Sequence, residues 1–499
     1  MPFDGEITSE GNEIFNLRTF SHDVFIYSLG QGLLLILGFI QFFIIPKYLS
    51  IEDYGYWKLF LLFTSYVGIL HFGFNDGILV SWAGEKIDNI GSEIKTAFKF
   101  LIFEQLILIS FLALIFYFIL NEKNLLWIAL SILLYTFIIN LTSFFIFTAQ
   151  AIKRFRLLTM INATSGISFL LFVILFFILQ QTQFYYVILS NLLSLFITLF
   201  ILILFFRRYL FLKKISSIRS QWKFGKRNIS IGIFILFGNL VGTFFWTFDR
   251  LIVSSLFSIQ QFAIYAFALT GASILYTFTG AISQVLFPYL SGSELQIKIR
   301  IYHIAKSAII LSWAAFLIMY FPLTKIIQYY LPQYKTSLIL IQIMLCTVGF
   351  VSLIQILHIN YFKAYRKQRQ YFLFGIIALF LAILLNLLVF RILGTLESIA
   401  FATLIALGGY YIINELILKS ILEQNNKKIA RSLTIISSYI CAFFLSSFLS
   451  DQFVFQMFIY LGFFLLITYI ALRLEIRELI HIVKKINKSK RKLKKESKN

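Results

Sequence analysis

Fourteen long apolar segments follow one another along this chain, and its basic residues fall almost wholly in every second gap between them. A helix of roughly 20 apolar residues crosses a bilayer. Segments of that kind lie at 24–46, 57–80, 97–120, 125–149, 157–179, 184–206, 229–253, 262–287, 304–322, 337–358, 371–391, 396–418, 431–449 and 453–472. With only 13% of residues charged and 60% hydrophobic, the chain cannot hide its apolar surface in one water-soluble core. Lipid offers backbone N–H and C=O groups no partner, so the spans must be self-satisfied helices. The expected fold class is an all-α polytopic membrane protein of about fourteen spans; twelve follows if one weakly separated pair is miscounted.

The charge distribution gives orientation. With the N-terminus inside, the inner segments hold 37 Lys and Arg and the outer gaps and span ends hold 7. That asymmetry is what the positive-inside rule expects for an even span count with both termini cytoplasmic in an inner (plasma) membrane. Residues 1–23 are polar and carry Asp4, Glu6, Glu10, Glu13 and Asp23. They lack the basic start of a cleavable signal, so the first span serves as its own insertion signal. The net charge of +22 is then a matter of topology and contact with membrane lipids. Aromatic stacking platforms do not accompany the basic runs, which argues against nucleic acid. Cys346 and Cys441 both lie inside apolar segments and read as small buried core residues without a disulfide.

A shift of 208 residues lays Ser50-Ile51-Glu52-Asp53-Tyr54-Gly55-Tyr56-Trp57 over Ser258-Ile259-Gln260-Gln261-Phe262-Ala263-Ile264-Tyr265, and Gln31 over Asn239. Spans 1 and 2 thereby match spans 7 and 8. Short basic loops join spans 4 and 5 and spans 10 and 11 alike. The expected organisation is a cytoplasmic N-terminal segment (1–23), a first six-helix bundle (24–206), a basic linker (207–228), a second six-helix bundle (229–418), an appended helix pair (431–472) and a basic tail (473–499). Two such halves suit alternating access.

Charges within spans are the candidate functional residues, because a charge deep in hydrocarbon costs roughly 2.5–3.5 kcal/mol or more and normally faces a wet cavity or a partner. Asp249-Arg250, late in span 7, is the sharpest such site. Adjacent residues on a helix point about 100° apart, so each needs its own partner. Arg250 suits an anionic substrate or a gate; Asp249 suits an ion or gating network. Snorkelling of both to the outer interface is the competing explanation. Gln31 and Asn239 are further candidates for substrate contact or gating. Asp76 and His71, near the inner end of span 2, can form a titratable pair, and with Glu104 they are candidates for ion coupling; each acid also reads as a residue of the headgroup zone. Glu415, late in span 12, is interfacial or lines the cavity. Gly238-x-x-x-Gly242 suits close helix packing. The five histidines show no metal-ligand spacing, and no Walker loop is present, so neither a metal site nor ATP hydrolysis is expected.

Leu49-Ser50-Ile51-Glu52-Asp53-Tyr54-Gly55-Tyr56-Trp57 and Phe248-Asp249-Arg250-Leu251-Ile252-Val253-Ser254-Ser255-Leu256-Phe257-Ser258, followed by Ala263-Ile264-Tyr265-Ala266, resemble the polysaccharide-biosynthesis or O-antigen (Wzx-type) flippases of the multidrug/oligosaccharidyl-lipid/polysaccharide exporter superfamily. The resemblance covers the chain in length and span count. It implies a MATE-like, V-shaped pair of bundles around a cationic or mixed-charge cavity. It implies a protein that turns polyprenyl-diphosphate-linked oligosaccharide from the cytoplasmic to the outer leaflet for surface polysaccharide assembly, with H⁺ or Na⁺ as coupling ion and no other cofactor. A polysaccharide polymerase and chain-length machinery are the implied partners. By position it carries over only Asp249 and Arg250. The chain departs from the pattern in having few basic residues deep within its spans, unlike the peptidoglycan-precursor branch, whose cavity resembles an arginine cluster.

Two other functions compete. A cation-coupled multidrug exporter of the same superfamily needs embedded acids in the first bundle, of which Asp76 and Glu104 are a thin version. A membrane glycan polymerase or ligase needs a large external loop, and no outer gap here reaches thirty residues. The chain is therefore expected not to be an enzyme.

Overall fold

The computed structural model describes residues 17–211, 218–291 and 295–496, with side chains from Gly32 onward except for a few in the middle of the chain and those beyond Glu475. The helices are α1 (Leu17–Tyr48), α2 (Ile51–Thr64), α3 (Phe74–Ser81), α4 (Ile87–Ile119), α5 (Lys123–Ala151), α6 (Phe155–Ile178), α7 (Phe184–Leu210), α8 (Ile218–Leu256), α9 (Ile259–Ser291), α10 (Leu295–Phe316), α11 (Tyr320–Tyr330), α12 (Leu338–Leu353), α13 (Ile359–Ala364), α14 (Gln368–Leu393), α15 (Leu396–Leu418), α16 (Asn426–Phe448) and α17 (Phe453–Glu496). No strand occurs among the described residues. Twelve segments are long and apolar enough to span a membrane, and the bent pair Ile51–His71 with Phe74–Ser81 makes a thirteenth. The described apolar part of α1, Gly32–Tyr48, is shorter. These fall in order on the fourteen segments read from the sequence, and the chain is a multi-pass membrane protein. Of the linker 207–228, residues 212–217 lie outside the described residues, and α8 begins at Ile218.

The chain divides into two compact units. One comprises residues 1–41, 66–181 and 185–237; the other comprises 42–65, 182–184 and 238–499. Helices α1 and α8 thus contribute to both. Within the second unit the segment 332–364 is the centre, with 89% of its most apolar window buried. By contrast, the windows of α4 and α14 are only 6% and 17% buried, and Phe111, Phe118 and Phe380 lie bare on the surface. Large apolar side chains exposed in this density are the lipid-facing surface of a membrane protein.

The 208-residue shift has a local structural counterpart. Ser50 caps α2 by accepting the Asp53 N–H at 3.0 Å, and Ser258 caps α9 by accepting the Gln261 N–H at 3.3 Å. Both starts are side-chain caps that satisfy otherwise unpaired helical N–H groups. The two helices pack together in the second unit, where Gln260 Nε2 donates to Glu52 Oε2 at 3.3 Å. These two residues are shift-related. Gly55 lets the helices approach: a Cβ there would lie 2.6 Å from the Ile259 carbonyl oxygen and 3.3 Å from Cβ of Ala263, its own counterpart.

Three expectations are corrected. Span 2 is not one straight helix: it bends by 59° at Phe72-Gly73, where both residues have positive φ (48° and 80°). Gly238 and Gly242 make no close helix contact, since nothing lies within 4 Å of a Cβ built on either. The tight approach is instead that of α3 to the start of α8 in the first unit, where Gly73 and Gly77 meet the backbone of Asn228, Gly232 and Ile233. Finally, Cys346 is buried but Cys441 is exposed, because its face of α16 points outward.

Gly232→Val forces the α3 backbone away from α8 and is expected to destabilise the fold by about 1–3 kcal/mol or more. Gly238→Ala and Gly242→Ala are expected to be neutral. Thermal unfolding of the detergent-purified variants, followed by size-exclusion chromatography, checks the contrast.

Candidate functional site

The second unit carries the charged residues that sequence singled out in span 7. Asp249 is buried, with 4% exposure, and its Oδ2 accepts the Tyr265 hydroxyl at 2.7 Å. Arg250 is half-buried, and its guanidinium donates to the Trp246 carbonyl at 2.6 Å, one turn back along α8. The two side chains have separate partners, as their angular separation demands. The Arg250 Nε is buried without a hydrogen-bond partner. Thr403 of α15 lies beside the Tyr265 hydroxyl and donates to Asn386 Oδ1 at 3.4 Å. A polar chain therefore runs from α8 through α9 and α15 to α14.

Lys58 is the residue that sequence reasoning missed here. Counted only as an outer basic residue, it lies near enough to Arg250 for the two cations to repel. Its Nζ stands 5.1 Å from the centre of the Tyr54 ring, and among the described residues it makes no ion pair. Asn239 is exposed on α8, and its carbonyl accepts the Thr243 hydroxyl; it is remote in sequence register from this cluster. Gln31 lies outside the residues whose side chains are described.

In the first unit the structure gathers the three residues assigned to ion coupling around the break in span 2. His71 Nδ1 accepts the Gly73 N–H at 3.2 Å, which places the ring proton on Nε2. Nε2 stands 3.9 Å from Asp76 Oδ2, and both residues are about 5% exposed. Asp76 is thus a buried acid set against His71. Gln105 donates to the Leu70 carbonyl at the break and to Glu104 Oε2 (2.8 and 2.7 Å) and accepts from Asn140, whose own carbonyl takes Asn75 Nδ2. Glu104 Oε1 and Asn75 Oδ1 remain buried and unpartnered.

Glu415 is enclosed by its own chain. It is fully buried, and its Oε1 meets Lys306 Nζ at 2.9 Å, His358 Nε2 at 3.2 Å and the Tyr302 hydroxyl at 2.5 Å. His358 ends a π-helical turn, Ile354–His358, between α12 and α13. No spacing in the sequence announces this cluster, whose members come from three separate spans. Among the described residues no group of His, Cys, Asp and Glu is placed to hold a metal.

Removing one partner of a buried ion pair strands the other, so Lys306→Met is expected to cost about 3–5 kcal/mol, while Lys306→Met with Glu415→Leu recovers most of it. Chemical unfolding of both variants in detergent measures the difference.

Comparison with known proteins places the fold. The chain is similar to a lipid II flippase MurJ in an inward closed conformation, at 14% identity, with 90% of this chain and 99% of that one covered and a TM-score of 0.68. It is also similar to an inward-facing multidrug resistance MATE family transporter of the MOP superfamily, at 12% identity, over 80% and 96% of the two chains, with a TM-score of 0.57. A sequence comparison with curated proteins gives no match. The family model described as polysaccharide biosynthesis protein matches residues 20–294, more than half of the chain. This MATE-like, helical membrane protein therefore belongs to the polysaccharide biosynthesis protein family.

Proposed function

We propose that the chain is a flippase that carries a polyprenyl-diphosphate-linked oligosaccharide from the cytoplasmic to the outer leaflet of the inner membrane, by alternating access, for surface polysaccharide assembly. A diphosphate and a polar glycan cannot cross hydrocarbon unaided, because each charged or hydroxyl group would shed its water without replacement. The observation that carries this reading is Arg250 itself, a half-buried guanidinium late in α8 whose buried Nε has no hydrogen-bond partner. An arginine fork matches phosphate geometry. Asp249, tied to Tyr265, holds the end of α8 so that Arg250 keeps its aim. The fold shared with a lipid II flippase and the family supports the same reading.

Coupling is assigned to the first unit. His71 and Asp76, set at the bend of span 2 with the Glu104 network beside them, form a place where taking up H⁺ or Na⁺ would alter the bend. Downstream, the polysaccharide polymerase and chain-length machinery receive the product.

The buried acids Asp76 and Glu104 favour one other function, cation-coupled export of a cationic drug. Efflux of a cationic dye by cells carrying the chain, unaffected by loss of surface glycan precursors, would select it.

In cells whose surface glycan depends on this chain, Arg250→Ala, Lys58→Ala and Asp249→Ala are each expected to lower glycan assembly about tenfold or more, the cost of one charge-assisted hydrogen bond. Protein in the membrane should be unchanged. Normal glycan in all three variants refutes the site. Asp76→Asn is expected to abolish translocation driven by an ion gradient while sparing exchange of substrate without one, measured in vesicles.

A further inference from the structure

The second unit holds a cavity of about 340 Å³ between α10 and the helices α16 and α17, well removed in sequence from Asp249 and Arg250. That volume equals on the order of ten water molecules. Its polar lining includes Lys306, Ser307, Gln424, Lys428, Arg431 and Glu475, three cations against one carboxylate. Arg431 bonds Glu475 at 2.9 Å and the Ala471 carbonyl at 2.6 Å, and Lys306 is held by Glu415 behind the wall. Lys428 is exposed and makes no ion pair among the described residues. The second, independent observation is Gln424. It is 94% buried, and its amide lies beside the Tyr302 hydroxyl without a well-formed hydrogen bond on either its nitrogen or its oxygen; Glu475 Oε2 is likewise unpartnered. A buried amide left unmade costs about 1–3 kcal/mol, so the wall is shaped for a polar occupant.

We propose that this cavity binds a phosphate-bearing anion, held by Lys428, Arg431 and the Gln424 amide, at a site separate from that of the transported substrate. Ammonium, guanidinium and amide groups line the one cavity, and these are the donor types that a phosphate monoanion or diester accepts. Charge counting puts this end of α10 and α16 at the cytoplasmic face, where anionic headgroups are concentrated and basic pockets between spans receive them. A phospholipid headgroup and free phosphate share this chemistry. The inference does not rest on the flippase reading: a chain that translocates nothing would bind the anion equally.

The test uses the full chain in detergent, with thermal unfolding and native mass spectrometry in the presence of phosphatidylglycerol, phosphatidylcholine or inorganic phosphate. Phosphatidylglycerol is expected to raise the unfolding midpoint and stay bound where phosphatidylcholine does not. If inorganic phosphate alone does so, the anion is the free ion, and the site stands with that source. Lys428→Gln is expected to weaken binding about tenfold, and Ser307→Phe to abolish it by filling the cavity. Lys428 is exposed, so its variant folds even where the Ser307 variant does not. The proposal is overturned if neither phosphatidylglycerol nor phosphate binds above phosphatidylcholine, or if Lys428→Gln binds as wild type does.

Discussion

Hydrocarbon offers a polar group no partner, and the architecture of this chain follows from that. Every span is a helix, because only a helix pairs its own backbone. Where the chain admits charge, it must answer it from within. Glu415 takes three donors at once, Asp249 takes the Tyr265 hydroxyl, and His71 stands against Asp76. Among the buried atoms left without a hydrogen bond, Arg250 Nε belongs to the residue that the proposed function assigns to the substrate.

The fold was largely legible in the sequence. Apolar length and Lys/Arg asymmetry are one-dimensional signals, so the spans came out in order and nearly in register. The Ser50 and Ser258 turns were legible as repeats because capping is set by residues three apart. The bend at Phe72-Gly73 was not, since a single glycine within an apolar run does not announce a break. Nor did Gly238 and Gly242 betray that they face open space: a glycine motif shows where helices are able to approach, not whether they do.

The candidate site was legible in part. Asp249 and Arg250 stood out as charges in an apolar span, and their separate partners follow from helix geometry. Lys58 did not stand out, because its sequence neighbourhood reads as a span end and its approach to the Tyr54 ring is a feature of the folded helix. Lys306, His358 and Glu415 lie 52 to 109 residues apart in sequence, and only the tertiary fold joins them. The buried polar networks are thus spread over both units. The first unit holds the acid–histidine network at a bent span, and the second holds Asp249 and Arg250 together with the buried Lys306–Glu415 ion pair.

The central claim is that this chain moves a lipid-linked glycan across a bilayer using Arg250. The direct measurement is made in sealed proteoliposomes that contain polyprenyl-diphosphate-linked oligosaccharide, by following the fraction of glycan open to an externally added glycosidase. Wild type is expected to expose the inner-leaflet pool with time, while Arg250→Ala leaves it at the protein-free rate. Wild-type vesicles that expose no more glycan than protein-free ones, or an Arg250→Ala chain as fast as wild type, would contradict the account.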